Sequence, residues 1–182
     1  MNNVLRVVKV DLDYCNYLRK YDNKVPYNYG NKDSRPFIGV LFEVNNLKYF
    51  APLSSPKPKH LKIKGKIDLL KIDGGLLGVI NFNNMIPVTD KNIELIDLNK
   101  KTSDRVEKKY LFLLKKQLYW LNRNIDILHN RSQKLYYNYI NNKLPSSIYE
   151  RCCNFSLLEI KCNEYNNLLI KNWYIILLIL EN

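Results

Sequence analysis

Residues 36–53, PFIGVLFEVNNLKYFAPL, decide the fold, because they predict a β-hairpin in the middle of a strand-rich region. Two apolar runs, 36–44 and 47–53, flank Asn45 and Asn46. Asparagine tolerates the positive φ angles of a tight turn, so the pair marks the hairpin bend. Further short strands are predicted over 4–10, 67–72, 76–82, 85–88 and 93–98. Several short strands with hairpin signals favour a small antiparallel barrel or a strongly bent sheet.

The chain changes character near residue 100, where the apolar period becomes helical. Apolar residues recur at intervals of three and four at Leu111, Leu114, Leu118, Leu121, Ile125 and Leu128. This spacing predicts one amphipathic helix of about six turns, which Ser103 or Asp104 would cap. The 182 residues therefore predict an α+β fold in a single domain, 1–182. Its strand-rich core would cover about 1–100 and its helical part about 101–182.

The charge of the chain is strongly positive. It carries 29 Lys and Arg against 17 Asp and Glu, a formal net charge of +12. Such an excess favours a polyanionic partner, although a basic, solvated surface is the alternative. The four cysteines form no CxxC pair, and the longest apolar run, 173–180, is too short to span a bilayer. We therefore expect a cytoplasmic protein with reduced thiols, without a metal, a cofactor or a membrane contact.

Polar chemistry is concentrated directly after the predicted hairpin, in residues 51–60, APLSSPKPKH. Ser54 and Ser55 follow a predicted buried strand, which would hold them rigidly. Five lysines and no acid lie between residues 56 and 66, and His60 stands among them. A positive field of this kind attracts phosphates.

Three interpretations of this segment are compatible with its residues. It is a solvated surface loop, or a Ser–Lys hydrolytic pair in which a lysine of reduced proton affinity activates Ser55, or an RNA-cleaving site. RNA supplies its own nucleophile, the 2′-hydroxyl. The protein then has to align that hydroxyl, stabilise the phosphorane and protonate the 5′-oxygen, and a serine and a lysine suit the last two tasks without a metal.

Four segments in order along the chain resemble the ToxN/AbiQ family, the endoribonuclease toxins of type III toxin–antitoxin systems. The segments are YLRKYDNKVPY, PFIGVLFEV, KYFAPLSSPKPKH and LGVINFNNMIPV. They lie within about residues 14–100, and YLFLLKKQLYWL in the helical half resembles the family more loosely. The resemblance is closest to the abortive-infection members of the AbiQ type. It implies a compact SH3-like antiparallel β-barrel, similar to the Kid/MazF toxins, with added helices.

The resemblance also implies site residues. The family motif [ST]-S-P-K matches Ser54, Ser55, Pro56 and Lys57. Ser55 would contact the scissile phosphate, Lys57 would stabilise or protonate there, and Ser54 would keep the hydroxyl of the motif. RNA contacts are expected at Tyr29, Lys32, Arg35, Lys59, His60, Lys62, Lys64, Lys115, Lys116, Gln117 and Tyr119.

A partner is implied in the same way. The family is inhibited by a small, repetitive, pseudoknot-like antitoxin RNA, which the toxin cuts into units that stay bound. Protein and RNA then alternate in a closed assembly, while the free protein would be a monomer or a weak oligomer. Cleavage of cellular or phage RNA by 2′-hydroxyl attack would leave 2′,3′-cyclic phosphate and 5′-hydroxyl ends. A non-catalytic RNA-binding module is the alternative function.

Overall fold

The computed structural model describes residues 5–26 and 35–180, with side chains to residue 168. Tyr29 and Lys32 lie outside the described residues. The strands are β1 (Arg6–Val10), β2 (Phe37–Gly39), β3 (Glu43–Val44), β4 (Leu47–Ser54), β5 (Leu69–Ile72), β6 (Gly78–Asn81), β7 (Ile86–Val88) and β8 (Ile93–Leu95). The helices are α1 (Leu12–Arg19), α2 (Pro58–Lys62), α3 (Arg105–Arg123), α4 (Ile125–Ile140), α5 (Ser146–Tyr149) and α6 (Phe155–Leu180). The fold is thus mixed, with an antiparallel sheet followed by a helical half.

The predicted hairpin is confirmed at its turn. Asn45 and Asn46 adopt φ angles of 49° and 63°, and they connect β3 to β4 in antiparallel register. The predicted strand over 36–44 is instead two strands, because the chain leaves regular pairing between β2 and β3. This break lets β2 pair with the far end of β4 and with β1, while β3 pairs with the near end of β4.

Strand β4 is the centre of the sheet. Its first half pairs with β3 and β7, and its second half pairs with β2 and β6. The sheet runs in the order β5-β6-β4-β2-β1-β8. Its end strands β5 and β8 do not pair with each other among the described residues, so the sheet is open along this path. Since β4 has partners along its whole length, its last residues are held firmly.

The single long helix predicted over the leucine stripe is wrong, because the stripe is divided between α3 and α4. Asn124 separates the two helices with φ −124° and ψ 29°, which is not helical. Its side-chain amide donates to the Trp120 carbonyl at 2.8 Å, and such a local bond competes with continuation of the helix. Asp104 caps the start of α3 as expected, by accepting a hydrogen bond from the Val106 amide.

One hydrophobic cluster joins the sheet to the helical half. Its buried members extend along the chain from Leu5 to Cys162 and include all four cysteines. Tyr49 of β4 and Tyr136 of α4 both donate hydrogen bonds of 2.7 Å to Glu159 of α6. The helices therefore pack on the sheet through specific polar contacts as well as apolar burial. No helix in the described part of the chain is long and apolar enough to cross a membrane.

Candidate active site at the end of strand β4

Ser54 and Ser55 lie where β4 ends. Ser54 is the last residue of the strand and is paired with Val79 of β6. The Asn81 side-chain amide donates to Ser54 Oγ at 3.1 Å. Since Oγ is the acceptor in this bond, the Ser54 hydroxyl proton remains directed elsewhere. Ser55 follows the strand and is exposed. The accessible hydroxyl of Ser55 therefore directly follows the last residue that strand pairing holds in place.

Gly78, the first residue of β6, forms the floor beneath the two serines. Its φ is +105°, and a Cβ built there would overlap the Ser54 carbonyl oxygen. The same Cβ would lie 3.1 Å from the carbonyl carbon of Ser55. Only glycine satisfies both the positive φ and this close backbone approach. The position of the Ser54–Ser55 backbone thus depends on a residue 23 positions further along the sequence.

Lys57 is held by the short helix α2. It stands directly before Pro58, the first helical residue, and its carbonyl accepts a hydrogen bond from the His60 amide at 2.8 Å. The other end of α2 is anchored by Lys71 of β5, whose Nζ donates to the Leu61 carbonyl at 2.9 Å. The Lys57 side chain remains exposed, two residues after Ser55. This arrangement fixes the backbone of the serine–lysine pair and leaves its charged end accessible.

His60 does not lie at the surface, which corrects the expectation that it contacts RNA. Its side chain is 3% exposed, and within the described residues its Nδ1 has no hydrogen-bond partner. Burial lowers the pKa of His60, and the charges of Lys57 and Lys59 lower it further. Both effects favour the neutral imidazole over the charged form.

Three other lysines of this segment do lie at the surface. Lys59 and Lys62 are exposed on α2, and Lys64 is exposed just after it. They form a positive rim on and directly after α2, the helix that follows Lys57. A rim of this kind favours the approach of a phosphate backbone.

Arg35 reaches the same strand end from β2. Phe37 pairs with Pro52, and the Pro36 carbonyl accepts from the Leu53 amide at 2.8 Å. Continued by one more pair, this antiparallel register sets Arg35 opposite Ser54. Arg35 is partly buried, which lowers the pKa of its guanidinium, and no described residue pairs with it. A partly buried, unpaired guanidinium is a strong binding group for a phosphate.

A cavity of about 720 Å³ opens beside Ser55. Its walls come from β1, β8, the segment after β8 and the first half of α3. The wall is mixed in charge and includes Lys9, Glu94 and the ion pair between Lys100 and Glu107, whose atoms are 2.7 Å apart. Sequence reasoning missed this cavity, because its walls are contributed by segments that are distant along the chain and show no motif.

The predicted RNA contacts of α3 are divided between its two faces. Lys115, Lys116 and Tyr119 are exposed, one to two turns beyond the part of α3 that lines the cavity. Gln117 instead is 1% exposed, and its Nε2 donates to the Leu77 carbonyl at 2.6 Å. This placement corrects the expectation that Gln117 contacts RNA.

The exposed face of α3 alternates aromatic rings and cations. Lys116 Nζ lies 4.6 Å from the centre of the Phe112 ring, and the Arg123 guanidinium lies 5.6 Å from that of Tyr119. Tyr119 is 65% exposed and Phe112 is 59% exposed. Exposed rings among positive charges suit stacking on unpaired bases. Phe112 was not among the predicted contacts, although its spacing from Lys116 and Tyr119 is the available signal.

The acidic, histidine and cysteine side chains do not form a metal centre in the described part of the chain. No group of three or more of them is placed to hold an ion there.

Comparisons of the sequence with a family model and with known proteins all indicate the same family. The family model for the toxin ToxN of type III toxin–antitoxin systems matches residues 6–163. The chain is 36% identical over 160 residues to endoribonuclease ToxN of Bacillus thuringiensis subsp. kurstaki, covering 86% of this chain and 81% of that protein. It is 31% identical over 172 residues to endoribonuclease AbiQ of Lactococcus lactis subsp. lactis, covering 89% and 90%.

The fold agrees with this relationship. A solved structure that concerns selective inhibition of a type III toxin by a non-coding RNA pseudoknot aligns with a TM-score of 0.76. The identity is 33%, and the alignment covers 89% of this chain and 98% of that chain. The chain therefore belongs to the ToxN family of toxins from type III toxin–antitoxin systems.

Proposed function

We propose that this chain is an endoribonuclease toxin and that it cuts RNA at the end of β4. The observation that carries the proposal is the end of β4, where Ser55 lines an open cavity and Lys57 is exposed two residues later. Arg35, which has no partner among the described residues, lies opposite Ser54 in the continued register. These groups offer a hydrogen-bond donor and two positive charges to one phosphate. The curated relatives are endoribonucleases, which supports the same activity here.

The cleavage chemistry follows from what RNA itself provides. The 2′-hydroxyl loses its proton to solvent and attacks the adjacent phosphorus, and the bond from phosphorus to the 5′-oxygen breaks. Ser55 and Ser54 donate hydrogen bonds to the phosphate oxygens, while Arg35 neutralises the charge that accumulates there. Lys57 stabilises the phosphorane and protonates the departing 5′-oxygen. The products carry a 2′,3′-cyclic phosphate and a 5′-hydroxyl, and the reaction requires no metal ion.

The surface around the site is proposed to bind RNA over a longer path. The rim of Lys59, Lys62 and Lys64 attracts the backbone, and the exposed face of α3 with Lys115, Lys116 and Tyr119 stacks on unpaired bases. Tyr29 and Lys32 are proposed to extend this path. The net charge of +12 supports a large RNA footprint.

The partner is proposed to be an RNA of repeated, pseudoknot-like units. A structural relative is a type III toxin inhibited by a non-coding RNA pseudoknot, which supports an antitoxin of this kind. We infer that the toxin cuts its precursor into units and keeps them in a closed assembly that alternates protein and RNA. The relationship to AbiQ supports a role in abortive infection, and RNA substrates favour a cytoplasmic location.

For the fold, we infer kinship with the SH3-like barrels of the Kid/MazF toxins, in a single domain over 1–182. The sharing of β4 among four partner strands supports this inference, because small barrels bend one long strand across two sheets. The single hydrophobic cluster that spans both halves supports one domain.

The test is cleavage of a structured RNA pool in the presence of EDTA. We expect the wild-type protein to cut and to leave 2′,3′-cyclic phosphate ends, and we expect Ser55→Ala and Lys57→Ala to lose at least about 100-fold in rate while still binding RNA. Ser147→Ala and Lys134→Ala, which alter exposed residues of the helical half, are the matched controls.

Three results would contradict the proposal. Binding by all variants without cutting by any would indicate a non-catalytic RNA-binding module. Labelling of Ser55 by a serine-directed acylating probe would indicate a Ser–Lys hydrolase. Equal cutting by Ser55→Ala and the wild type would show that the cleavage site does not lie at the end of β4.

A further inference from the structure

Gln117 is a polar residue on the buried side of a helix whose other inward positions are leucines. Leu114 and Leu121, three residues before it and four after it, are both buried. The Gln117 side chain is buried as deeply, but its amide nitrogen lies 2.6 Å from the Leu77 carbonyl oxygen. An apolar side chain would fill this place without the cost of burying an amide. The feature that distinguishes glutamine here is the hydrogen bond to Leu77.

The bond adds a contact from α3 to a peptide unit that is otherwise held by its neighbour β5, through the pairing of Gly78 with Ile72. The Leu77 carbonyl belongs to the peptide between Leu77 and Gly78, and this peptide rotates about the N–Cα bond of Gly78. Gly78 holds a φ of +105°, in a region where glycine has several accessible alternatives. A hydrogen bond from a helix to the carbonyl end of this peptide selects one orientation.

That orientation matters because Gly78 supports the two serines. The backbone of Ser54 and Ser55 rests against Gly78 with no room for a side chain between them. The next pair of the ladder joins Ser54 to Val79. A rotation of the Leu77–Gly78 peptide would therefore move the floor of the site. A displacement of about 1 Å at a reacting group costs on the order of 100-fold in rate.

We propose that Gln117 is a positioning residue that holds Ser54 and Ser55 through Leu77 and Gly78. The proposal rests on the assignment of Ser55 to the cleavage site. Gln117 touches neither RNA nor the reacting atoms. Its loss should reduce the rate of the chemical step and leave RNA affinity unchanged.

The main variant is Gln117→Met, which keeps the volume and removes the donor. Asn84→Leu is the matched control, because Asn84 Nδ2 donates to the distant backbone carbonyl of Lys24 at 2.8 Å, and Asn84 follows β6 at the end opposite Gly78. Gln117→Met loses the hydrogen bond to Leu77, and Asn84→Leu loses the bond to Lys24 and a second one to Cys153, so both should lose stability. Assays are run at a temperature where melting curves show each variant to be folded.

The kinetic readout separates positioning from general stability. Single-turnover cleavage should slow by roughly 10- to 100-fold in Gln117→Met and stay within about 2-fold of wild type in Asn84→Leu. The Kd for an RNA with a 2′-deoxy substitution at the cut site should be the same for all three proteins. The proposal would be overturned if Gln117→Met cleaved at the wild-type rate, or if both variants lost the same fraction of the cleavage rate.

A second variant, Gln117→Glu, tests the hydrogen bond itself. A protonated carboxyl donates to the Leu77 carbonyl, whereas a carboxylate does not, and burial raises the pKa of such a group. The cleavage rate of Gln117→Glu relative to wild type should therefore increase as the pH falls from 8 to 5. A ratio that does not change with pH would contradict the role of the donor.

Hydrogen exchange provides a readout that does not need activity. The amides of residues 53–55 and 78–80 should exchange faster in Gln117→Met than in Asn84→Leu. Equal exchange in the two variants would overturn the positioning contact. If the wild-type protein cuts no RNA, the proposed function fails, and the exchange result still decides whether Gln117 holds this backbone.

Discussion

At the scale of single residues, the site contains one residue with an unfavourable backbone angle and one buried polar side chain. Gly78 has a φ that side chains disfavour and lies against the Ser54 carbonyl. His60 is a histidine buried without a partner for Nδ1 in the described structure. Gly78 contacts the backbone of Ser54 and Ser55, and His60 lies in α2, which begins directly after Lys57. Local strain and burial are therefore concentrated where the proposed chemistry takes place.

We predict that Gly78→Ala lowers the free energy of unfolding by about 2–3 kcal/mol, because a Cβ there meets backbone in a strained conformation. Cleavage should fall even when the variant is folded, since the serines are displaced. Gly65→Ala is the matched control, because no atom lies within 4 Å of its added Cβ. Denaturant titration of the three proteins measures the effect, and equal stability of the two variants would argue against it.

The buried histidine predicts a pH dependence of stability. The pKa of His60 is lowered in the folded protein, so the unfolded chain binds the proton at a higher pH than the folded chain does. The free energy of unfolding should therefore decrease as the pH falls below about 6.5. The stability that comes from burying a neutral His60 should be fully present above that value. The change should be smaller in His60→Gln. Urea titrations between pH 7.5 and 5.5 measure both slopes, and identical slopes would contradict the prediction.

At the scale of elements, short stretches of sequence predicted those turns, caps and segments whose conformation depends on adjacent residues. The Asn45–Asn46 turn, the serine–lysine segment and the cap at Asp104 each depend on adjacent residues, and each was evident in the sequence. The break at Asn124 was missed, because the leucine spacing continues across it. Its cause is a side-chain hydrogen bond that apolar periodicity does not report.

The parts of the site that sequence reasoning missed are those made by distant elements. Asn81 reaches Ser54 only because β4 pairs with β6. Gln117 looked like part of an exposed Lys-Lys-Gln run, but its position on the helix turns it inward. The cavity beside Ser55 exists because β1, β8 and α3 meet there. None of these contacts leaves a pattern in a short stretch of sequence.

The exposed face of α3 gives a prediction for RNA affinity. Tyr119→Ala should weaken RNA binding by about 1–3 kcal/mol, the usual value of one base stacked on an aromatic ring. Tyr137 on α4 is the matched control, because it is similarly exposed and also has a lysine, Lys143, 5.1 Å from its ring centre. Filter binding or fluorescence anisotropy measures the Kd. Equal weakening by Tyr119→Ala and Tyr137→Ala would indicate that α3 has no special role.

At the scale of the whole molecule, a few polar contacts attach the helical half to the sheet. Arg151 binds Asp68 with two hydrogen bonds, of 2.6 and 3.0 Å. Asp68 precedes β5 and is almost fully buried, while Arg151 is partly exposed just before α6. Breaking this pair would leave a buried carboxylate without its partner.

We predict that Arg151→Met lowers the free energy of unfolding by about 3 kcal/mol, because the buried Asp68 side chain loses its ion-pair partner. The double variant Asp68→Asn/Arg151→Met should be less destabilised than the sum of the two single variants. Lys48→Met, which breaks the more exposed ion pair with Asp90, should cost less than about 1 kcal/mol. Denaturant titration measures the cycle, and strictly additive effects would contradict the coupling.

Because all four cysteines are buried, alkylation of their thiols reports how often the native protein unfolds. Burial raises the pKa of every thiol, to about 12 for Cys15 and Cys152, and only the thiolate reacts with alkylating reagents. Alkylation of an unmodified sample therefore proceeds at the frequency with which the molecule unfolds. A bound RNA that recognises only the native state would lengthen the labelling time by the factor 1 + c/Kd, where c is the free RNA concentration. Mass spectrometry would then follow toxin release from its inhibitor without any introduced probe.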